Sequence, residues 1–450
     1  MTKDKEYTAT QNACKLCTPL GAALAFKGIE NTISLLHGSQ GCSTYIRRYL
    51  ISHYKEPIDI ASTNFSEDTA IFGGKEKFTA AIKNLIQQYD PDIIGIATTC
   101  ISETIGEDVT AYVKEYQKLN ETEFPILINV ATPSYKGTHA EGFTDTVRAI
   151  TEALAEGGEE ENRINIFPGM VSTEDIRYIK EILSDFGLEY TLLPDYSKTL
   201  DGGLWTEYQK IPAGGTSIEE IKSSGSARVS IEFGRFPDEC VSAGKVLKIK
   251  FGVPLISSGM PIGISETDDF ISILKAISGN EIPRKYVEER ERLIDSLVDG
   301  HKYVFDLRAV VYGEEDFVIG IAAFLNEIGI IPVLCATGGE SRLFEKNISE
   351  VIPHYKEKKI KVLEGTDFNE IGEYIEVYRP DFIIGHSKGF SSARKINVPL
   401  IRIGFPIHDR FGGQRILHLG YRGAQRLYDT IVNTILEKQQ NESAVGYSYM

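Results

Sequence analysis

Three cysteines lie among glycines and hydroxyl residues in the first hundred residues: Cys17 in KLCTPLG, Cys42 in HGSQGCS and Cys100 in IATTCISETIGED. Cys42 follows the apolar run ISLL, and Cys100 follows the apolar run IIGIAT. Ligands of open α/β sheets collect outside the carboxyl ends of the strands, so we expect both thiols at such an edge. The N-termini of following helices would stabilise thiolates there, and small neighbours would leave room for an iron–sulfur cluster.

Two other interpretations of these thiols remain open. Buried cysteines are commonly inert core residues. Cys14 and Cys17 have the spacing of a zinc knuckle, but the chain has no second C-x-x-C pair and Pro19 begins a helix directly after the first. Three thiols are one short of the four that usually hold a [4Fe–4S] cluster. Either Cys14 joins them or another chain supplies a ligand, and the latter predicts a half-site at a subunit interface.

Further polar residues follow later apolar runs. Ser134, in TPSYKGTHAEGF, follows ILINV and is expected at the same edge as Cys100, as a helix cap or an auxiliary cluster ligand. Cys240 and Cys335 lie in or beside apolar segments and are expected in the core. Charged residues near the C-terminus form either a local anion-binding rim or plain solvated surface: His386, His408, Arg410, Arg415 and Arg422.

Short apolar runs alternate with helix-period segments, which predicts an α/β fold of mainly parallel sheets flanked by helices. The first set of strands is expected at 33–36, 93–98 and 126–130, with helices at 75–89, 102–118 and 142–156. The second set has strands expected at 164–169, 189–196 and 228–233 and helices at 173–186, 266–278 and 284–298. The third set has strands expected at 306–313, 330–336, 381–387 and 399–406 and helices at 315–328 and 419–438. We therefore predict three Rossmann-like domains at 1–160, 161–300 and 301–438, followed by a flexible tail at 439–450.

Composition and missing motifs exclude several functions. The 450 residues carry a formal net charge of -16, which disfavours a broad nucleic-acid surface. No apolar run approaches the length of a membrane span, and the polar N-terminus has no apolar signal region, so we expect a cytoplasmic protein without membrane contact. The dinucleotide fingerprint and the Walker A pattern are both absent, which argues against NAD or ATP as ligands.

Several motifs in order resemble the nitrogenase component 1 family over nearly the whole chain. They are K-x-C-x-P-L-G, H-G-S-Q-G-C, F-G-G at 72–74, T-T-C-x-S-E-T-I-G-E-D, T-P-S-Y-x-G-T-H, L-P-D-Y-S at 193–197 and G-F-P-I-x-D-R. The resemblance implies three Rossmann-like domains and an α₂β₂-type heterotetramer of related chains. It also implies an iron–sulfur cluster, [4Fe–4S] or P-cluster-like, shared with an α-like partner through Cys17, Cys42 and Cys100, with Ser134 as a further cofactor-binding residue.

Within that family the chain is most similar to the β-like subunit (the NifN type) of the scaffold on which the iron–molybdenum cofactor is assembled. LDGG at 200–203, FGGQR at 411–415 and GYRG at 420–423 favour the scaffold. The partner would then carry the cofactor precursor, the nitrogenase iron protein would act as reductase, and this chain would relay electrons. Retention of all three cysteines and Ser134 favours the alternative, a catalytic nitrogenase β subunit that reduces dinitrogen. A small-molecule binding protein with inert thiols is the third hypothesis.

Overall fold

A computed structural model describes residues 13–120, 125–235 and 241–445 of the chain. Over these residues the fold consists of three parallel β-sheets, each flanked by helices, which confirms the predicted fold class. Within the same residues no helix is both long and apolar enough to cross a membrane.

The first sheet has the strand order β2-β1-β3-β4, and every pairing is parallel. Its strands and helices are α1 (Thr18–Phe26), β1 (Thr32–His37), α2 (Gln40–Tyr54), β2 (Ile60–Ser62), α3 (Glu67–Phe72), α4 (Lys75–Tyr89), β3 (Ile93–Thr98), α5 (Cys100–Thr104), α6 (Val109–Asn120), β4 (Ile126–Val130) and α7 (His139–Leu154). All residues of β1 and β3 are buried. Strands covered on both faces are continuously apolar, which is why the sequence identified these two.

The helix predicted at 102–118 is wrong, because the structure has two helices there. Thr99 and Ser102 form a capping box, so α5 begins at Cys100 rather than at Ser102. The chain then leaves the helix at Ile105, and Gly106 adopts a left-handed φ of 78° before α6 begins at Val109. Cys100 is therefore the first residue of a short helix.

The second sheet has the order β6-β5-β7-β8 and is also parallel. Its strands and helices are β5 (Glu161–Phe167), α8 (Thr173–Asp185), β6 (Glu189–Leu192), α9 (Ile218–Ser223), β7 (Ala227–Phe233), α10 (Ala243–Phe251), β8 (Leu255–Ser258), α11 (Ser265–Ser278) and α12 (Arg284–Val304). Both this sheet and the first belong to one compact unit, formed by Cys17–Ser296 and Pro406–Leu427.

The third sheet has the order β11-β10-β9-β12-β13 and belongs to a second compact unit built around Leu297–Phe405. Its strands and helices are β9 (Arg308–Gly313), α13 (Glu315–Glu327), β10 (Ile331–Thr337), α14 (Phe344–Val351), β11 (Lys361–Leu363), α15 (Phe368–Tyr378), β12 (Phe382–Gly385), α16 (Phe390–Lys395) and β13 (Leu400–Arg402). A final helix, α17, runs over Gly420–Glu442. Residues 446–450 of the predicted tail lie outside the described residues.

Candidate functional site

Cys17 is placed by the packing of α1 against α7. It is the N-cap of α1, with Pro19 in the first turn, and its thiol is exposed. A Cβ on Gly21 would lie 1.7 Å from the His139 carbonyl oxygen, and a Cβ on Gly142 would lie 2.0 Å from that of Thr18. Only glycine allows the two backbones to approach this closely, so these residues fix the position of Cys17 relative to α7.

Cys42 lies in the first turn of α2, which begins at Gln40 directly after β1 and a short turn. The Ser39 hydroxyl donates a hydrogen bond to the Cys42 Sγ over 3.4 Å, and the thiol is half-buried. A Cβ on Gly41 would meet nothing nearer than the Ser39 Oγ at 3.9 Å. The space beside Cys42 is therefore open.

Cys100 opens α5 at the end of β3, and its thiol is exposed. The backbone amide of Ser134, which follows β4, donates to the Cys100 Sγ over 3.2 Å. The Ser134 hydroxyl in turn accepts a hydrogen bond from the backbone amide of Thr18 over 3.3 Å. Ser134 is thus bonded to Cys100 on one side and to the residue after Cys17 on the other.

These contacts place Cys17, Cys42, Cys100 and Ser134 at one edge of the first sheet, which we call the thiol edge. β1, β3 and β4 are parallel neighbours, so their carboxyl ends meet at this edge. Burial raises the pKa of Tyr49, on α2, to about 12, and negative charge on Cys17 adds to the rise. Tyr49 follows Cys42 by two helical turns, so Cys17 lies beside the α2 face that carries Cys42.

The thiol edge fits the donor chemistry of an iron–sulfur cluster. Two of its thiols are exposed, and an N–H group and a hydroxyl already donate to two of its sulfurs, as is usual around such clusters. Across the described stretches, no three or more His, Cys, Asp or Glu side chains come together as a possible metal site. Cys17, Cys42 and Cys100 therefore do not converge on a site for a single metal ion.

Cys14 and Cys335 differ from these thiols in burial. Cys14 is only 2% exposed and lies in the core of the third sheet, among Val310, Leu334 and Ile371. Burial raises the pKa of its thiol well above the usual range, and burial raises the pKa of Cys335 to about 12. Cys14 therefore does not form a zinc knuckle with the exposed Cys17, and Cys335 is a core residue as predicted. Cys240 lies outside the described residues.

A buried hydrogen-bonded pair beside the thiol edge was not predicted from the sequence. His37, the last residue of β1, contacts Glu107 through Nε2 and Oε2 at 3.1 Å, and their side chains are 0% and 5% exposed. The other Glu107 oxygen accepts the Gly74 amide over 2.9 Å. Two sequence features could have indicated this pair: a histidine that ends an apolar strand before Gly38, and an acidic residue after Gly106. Because 70 residues separate the two side chains, the sequence alone did not connect them.

Two of the charged residues near the C-terminus, Arg415 and Arg422, are paired with carboxylates of the protein rather than open to an anion. Arg415 contacts Asp201 at 2.8 Å, and Arg422 contacts Glu181 and Glu289 at 2.9 and 2.8 Å. These two guanidinium groups are therefore not available for the predicted anion-binding rim. Instead, the ion pair between Arg415 and Asp201 connects FGGQR at 411–415 to LDGG at 200–203.

Comparison with known proteins agrees with this geometry. A family model described as nitrogenase component 1 type oxidoreductase matches residues 17–436. The nitrogenase molybdenum-iron protein beta chain of Clostridium pasteurianum is 36% identical, over 96% of this chain and 94% of that one. The nitrogenase iron-molybdenum cofactor biosynthesis protein NifN of Bradyrhizobium diazoefficiens is 32% identical, over 95% of this chain and 91% of that one.

A solved structure described as nitrogenase Cp1 at pH 6.5 superposes with a TM-score of 0.95 at 35% identity, over 100% of this chain and 98% of that one. The relatives are β chains and a β-like assembly protein, and the matched region includes Cys17, Cys42 and Cys100. The chain is therefore a β-like member of the nitrogenase component 1 family of oxidoreductases.

Proposed function

We propose that this chain holds an iron–sulfur cluster at an interface with a homologous α-like partner. The ligands from this chain are Cys17, Cys42 and Cys100, with Ser134 as an auxiliary oxygen ligand. The observation that carries the proposal is the hydrogen-bonded link from the Thr18 amide through Ser134 to the Cys100 sulfur. That link joins the exposed thiol of Cys100 to the residue after Cys17 at the carboxyl edge of one parallel sheet.

The bound cluster would supply one-electron transfer, and the protein would control its position and environment. Ser39 and the Ser134 amide donate to the sulfurs of Cys42 and Cys100, and such donors raise the reduction potential of a cluster by stabilising added negative charge. The α-like partner would supply the missing thiolates and exclude water from the thiol edge. An α₂β₂-type heterotetramer with the nitrogenase iron protein as reductase follows from this role.

Of the two functions open to a β-like chain, we propose the scaffold for iron–molybdenum cofactor assembly. The partner would carry the cofactor precursor, and this chain would relay electrons during maturation. Support comes from the segments similar to scaffold proteins, since FGGQR and LDGG are joined by the ion pair between Arg415 and Asp201. This contact indicates that the two segments act together in the fold. The 32% identity to NifN is consistent with the scaffold function.

The second candidate is the catalytic β subunit of a nitrogenase. The specific observation in its favour is the higher identity, 36%, to a molybdenum-iron protein beta chain. The presence of all three thiols together with Ser134 also favours the catalytic subunit, because a larger P-cluster-like group needs more ligands than a shared [4Fe–4S] cluster.

Anaerobic purification of the chain with its α-like partner tests the proposal. We expect bound iron and an electron paramagnetic resonance (EPR) signal on reduction, both of which should be lost in Cys42→Ala. Cys14→Ala is the matched control, because Cys14 is buried in the third sheet and should leave the iron unchanged. An iron-free complex would refute both candidates. Restoration of cofactor maturation in an extract supports the scaffold, and dinitrogen reduction by the pure complex supports the enzyme.

The three sheets also support the proposed division into domains at 1–160, 161–300 and 301–438. We place the complex in the cytoplasm, where thiols stay reduced and an oxygen-sensitive cluster can be assembled.

A further inference from the structure

We propose that Lys388 is a positioning residue for the cluster ligand Cys17. Lys388 anchors the main chain at residues 13–15, directly before Cys17, and so limits the positions that the Cys17 sulfur can occupy. The inference rests on the proposed function, because it requires a cluster at the thiol edge. Lys388 acts only through hydrogen bonds, and its effect on the cluster passes along the peptide chain.

The anchor consists of main-chain contacts to the third sheet and its turns. The Lys388 ammonium donates to the carbonyl oxygens of Ala13 and Lys15 at 3.0 and 3.4 Å. The amide of Cys14, which lies between these two residues, donates to the Thr366 carbonyl over 3.3 Å. Hydrogen bonds from a charged donor are stronger than those between neutral groups. Three consecutive residues are therefore held through their main chain, and Lys388 makes two of the three contacts.

Lys388 is itself carried by a fixed turn at the carboxyl end of β12. The turn covers Ser387–Gly389 and directly follows His386. The buried Tyr312 hydroxyl donates to the His386 carbonyl and accepts the Gly389 amide over 3.1 Å, so it joins both ends of the turn. A Cβ on Gly389 would lie 2.1 Å from the same hydroxyl, and only glycine allows this approach. The ammonium therefore extends from a rigid backbone.

The chain between the anchor and Cys17 has little slack. Only Leu16 separates Lys15 from Cys17, and two residues span at most about 7 Å. Leu16 is 9% exposed, so its side chain is packed as well. On the other side of Cys17, the Thr18 amide donates to the Ser134 hydroxyl over 3.3 Å. The thiol is thus exposed, while the main chain is hydrogen-bonded both before and after it.

A cluster ligand needs a fixed sulfur position, because the geometry around the metal affects both the retention of iron and the electronic structure of the cluster. Cys17 is the N-cap of α1, and helix ends fray readily. Loss of the upstream anchor should therefore spread the Cys17 sulfur over several positions without removing it as a ligand.

The test is Lys388→Met in the purified complex with the α-like partner. Methionine keeps an aliphatic side chain but cannot donate, and a hydrogen bond from a charged group contributes about one to two powers of ten to an equilibrium constant. Hydrogen exchange at the Cys14 amide should become about tenfold faster, and 2,2′-bipyridyl should remove iron about tenfold faster. The EPR signal of the reduced cluster should broaden, whereas the iron content before chelation should equal that of the wild type.

Two further variants separate positioning from general stability. Lys388→Arg keeps a charged donor and should restore the exchange rate, the EPR signal and the rate of iron release. Lys395→Met is the matched control, because Lys395 on α16 contacts the Glu376 carboxylate at the surface and should leave all three at wild-type values. Unchanged exchange in Lys388→Met, or a wild-type EPR signal and release rate in that variant, would overturn the inference.

An insertion covers the case in which Lys388→Met does not fold. Two glycines placed between Lys15 and Leu16 leave the contacts of Lys388 in place but add flexible chain before Cys17. Exchange at the Cys14 amide should stay slow, whereas the EPR signal should broaden and iron release should accelerate. Wild-type cluster behaviour in the insertion variant would refute the positioning role, while the bound iron would still support the proposed function. A wild-type complex without iron would refute the proposed function itself.

Discussion

Burial divides four of the described cysteines into two reactivity classes. Cys17 and Cys100 are exposed, whereas Cys14 and Cys335 are buried with pKa values raised by burial. Alkylation proceeds through the thiolate, so both access and pKa protect the second pair. The two classes match the roles proposed for these residues. The reactive thiols are the proposed cluster ligands at the thiol edge, and the protected thiols lie in the core of the third sheet.

The first prediction concerns the cluster-free chain treated with iodoacetamide at pH 8. Cys17 and Cys100 should be alkylated within minutes, and Cys14 and Cys335 only after unfolding in guanidinium, as measured by peptide mass spectrometry. Cys42, half-buried and bonded to Ser39, should react at an intermediate rate. Rapid labelling of Cys14 in the folded chain would contradict its placement in the core.

At the level of elements, parallel topology explains why much of the thiol edge was predictable. An apolar run followed by a glycine or hydroxyl turn places the next residue at a sheet edge, which located Cys42, Cys100 and Ser134. Connections between distant segments were not predictable in this way. The His37–Glu107 pair, the use of Cys14 as a core residue, and the break between α5 and α6 all depend on tertiary packing, which local patterns do not record.

The second prediction tests the close approach of α1 and α7. Gly21→Ala would force a Cβ against the His139 carbonyl oxygen and should destabilise the protein by about 3 kcal/mol, the upper part of the usual range for overpacking. The iron content of the complex should fall with it, because α1 positions Cys17. Gly203→Ala is the control, since nothing lies within 4 Å of its added Cβ. Thermal unfolding and iron analysis of both variants decide the outcome, and an unchanged Gly21→Ala protein would refute the role of this contact.

The third prediction concerns the N-terminus of α8, which holds the returning segment 413–420. Asp175 accepts the amides of His418 and Leu419 at 2.7 and 3.0 Å, and its other oxygen contacts the His418 ring at 2.9 Å. Burial alone would raise the pKa of Asp175, but His418 and these amides hold it below the usual value. Asp175→Ala should therefore lower stability by about 3–5 kcal/mol.

The sign of the pH dependence follows from the lowered pKa. The stabilisation by Asp175 is fully present above its unfolded value of about 3.9 and is lost as the pH falls through the lower folded value. The gap in melting temperature between wild type and Asp175→Ala should thus be constant above about pH 5 and shrink in acid. Glu174→Ala, which removes only a surface ion pair with Arg177, should cost about 0–1 kcal/mol at any of these pH values. Equal effects of the two variants would contradict the buried role of Asp175.

At the scale of the whole molecule, the proposed interface site predicts that cluster stability depends on assembly. In the chain alone, exposed Cys17 and Cys100 would leave bound iron open to solvent. In the proposed complex, the partner's thiolates would complete the ligand set and cover the thiol edge. Binding to the folded state alone would add stability that increases with partner affinity.

The fourth prediction follows from that dependence and uses an iron chelator. Iron reconstituted into the isolated chain should be removed by 2,2′-bipyridyl within minutes, whereas the complex with the α-like partner should retain it for at least ten times as long. Alkylation of Cys17 and Cys100 should slow in parallel in the complex, while Cys335, which is protected in both states, serves as the internal control. A chelator-resistant cluster in the isolated chain would mean that this chain holds a complete ligand set. In that case the cluster would belong to one subunit, and the interface role of the thiol edge would be wrong.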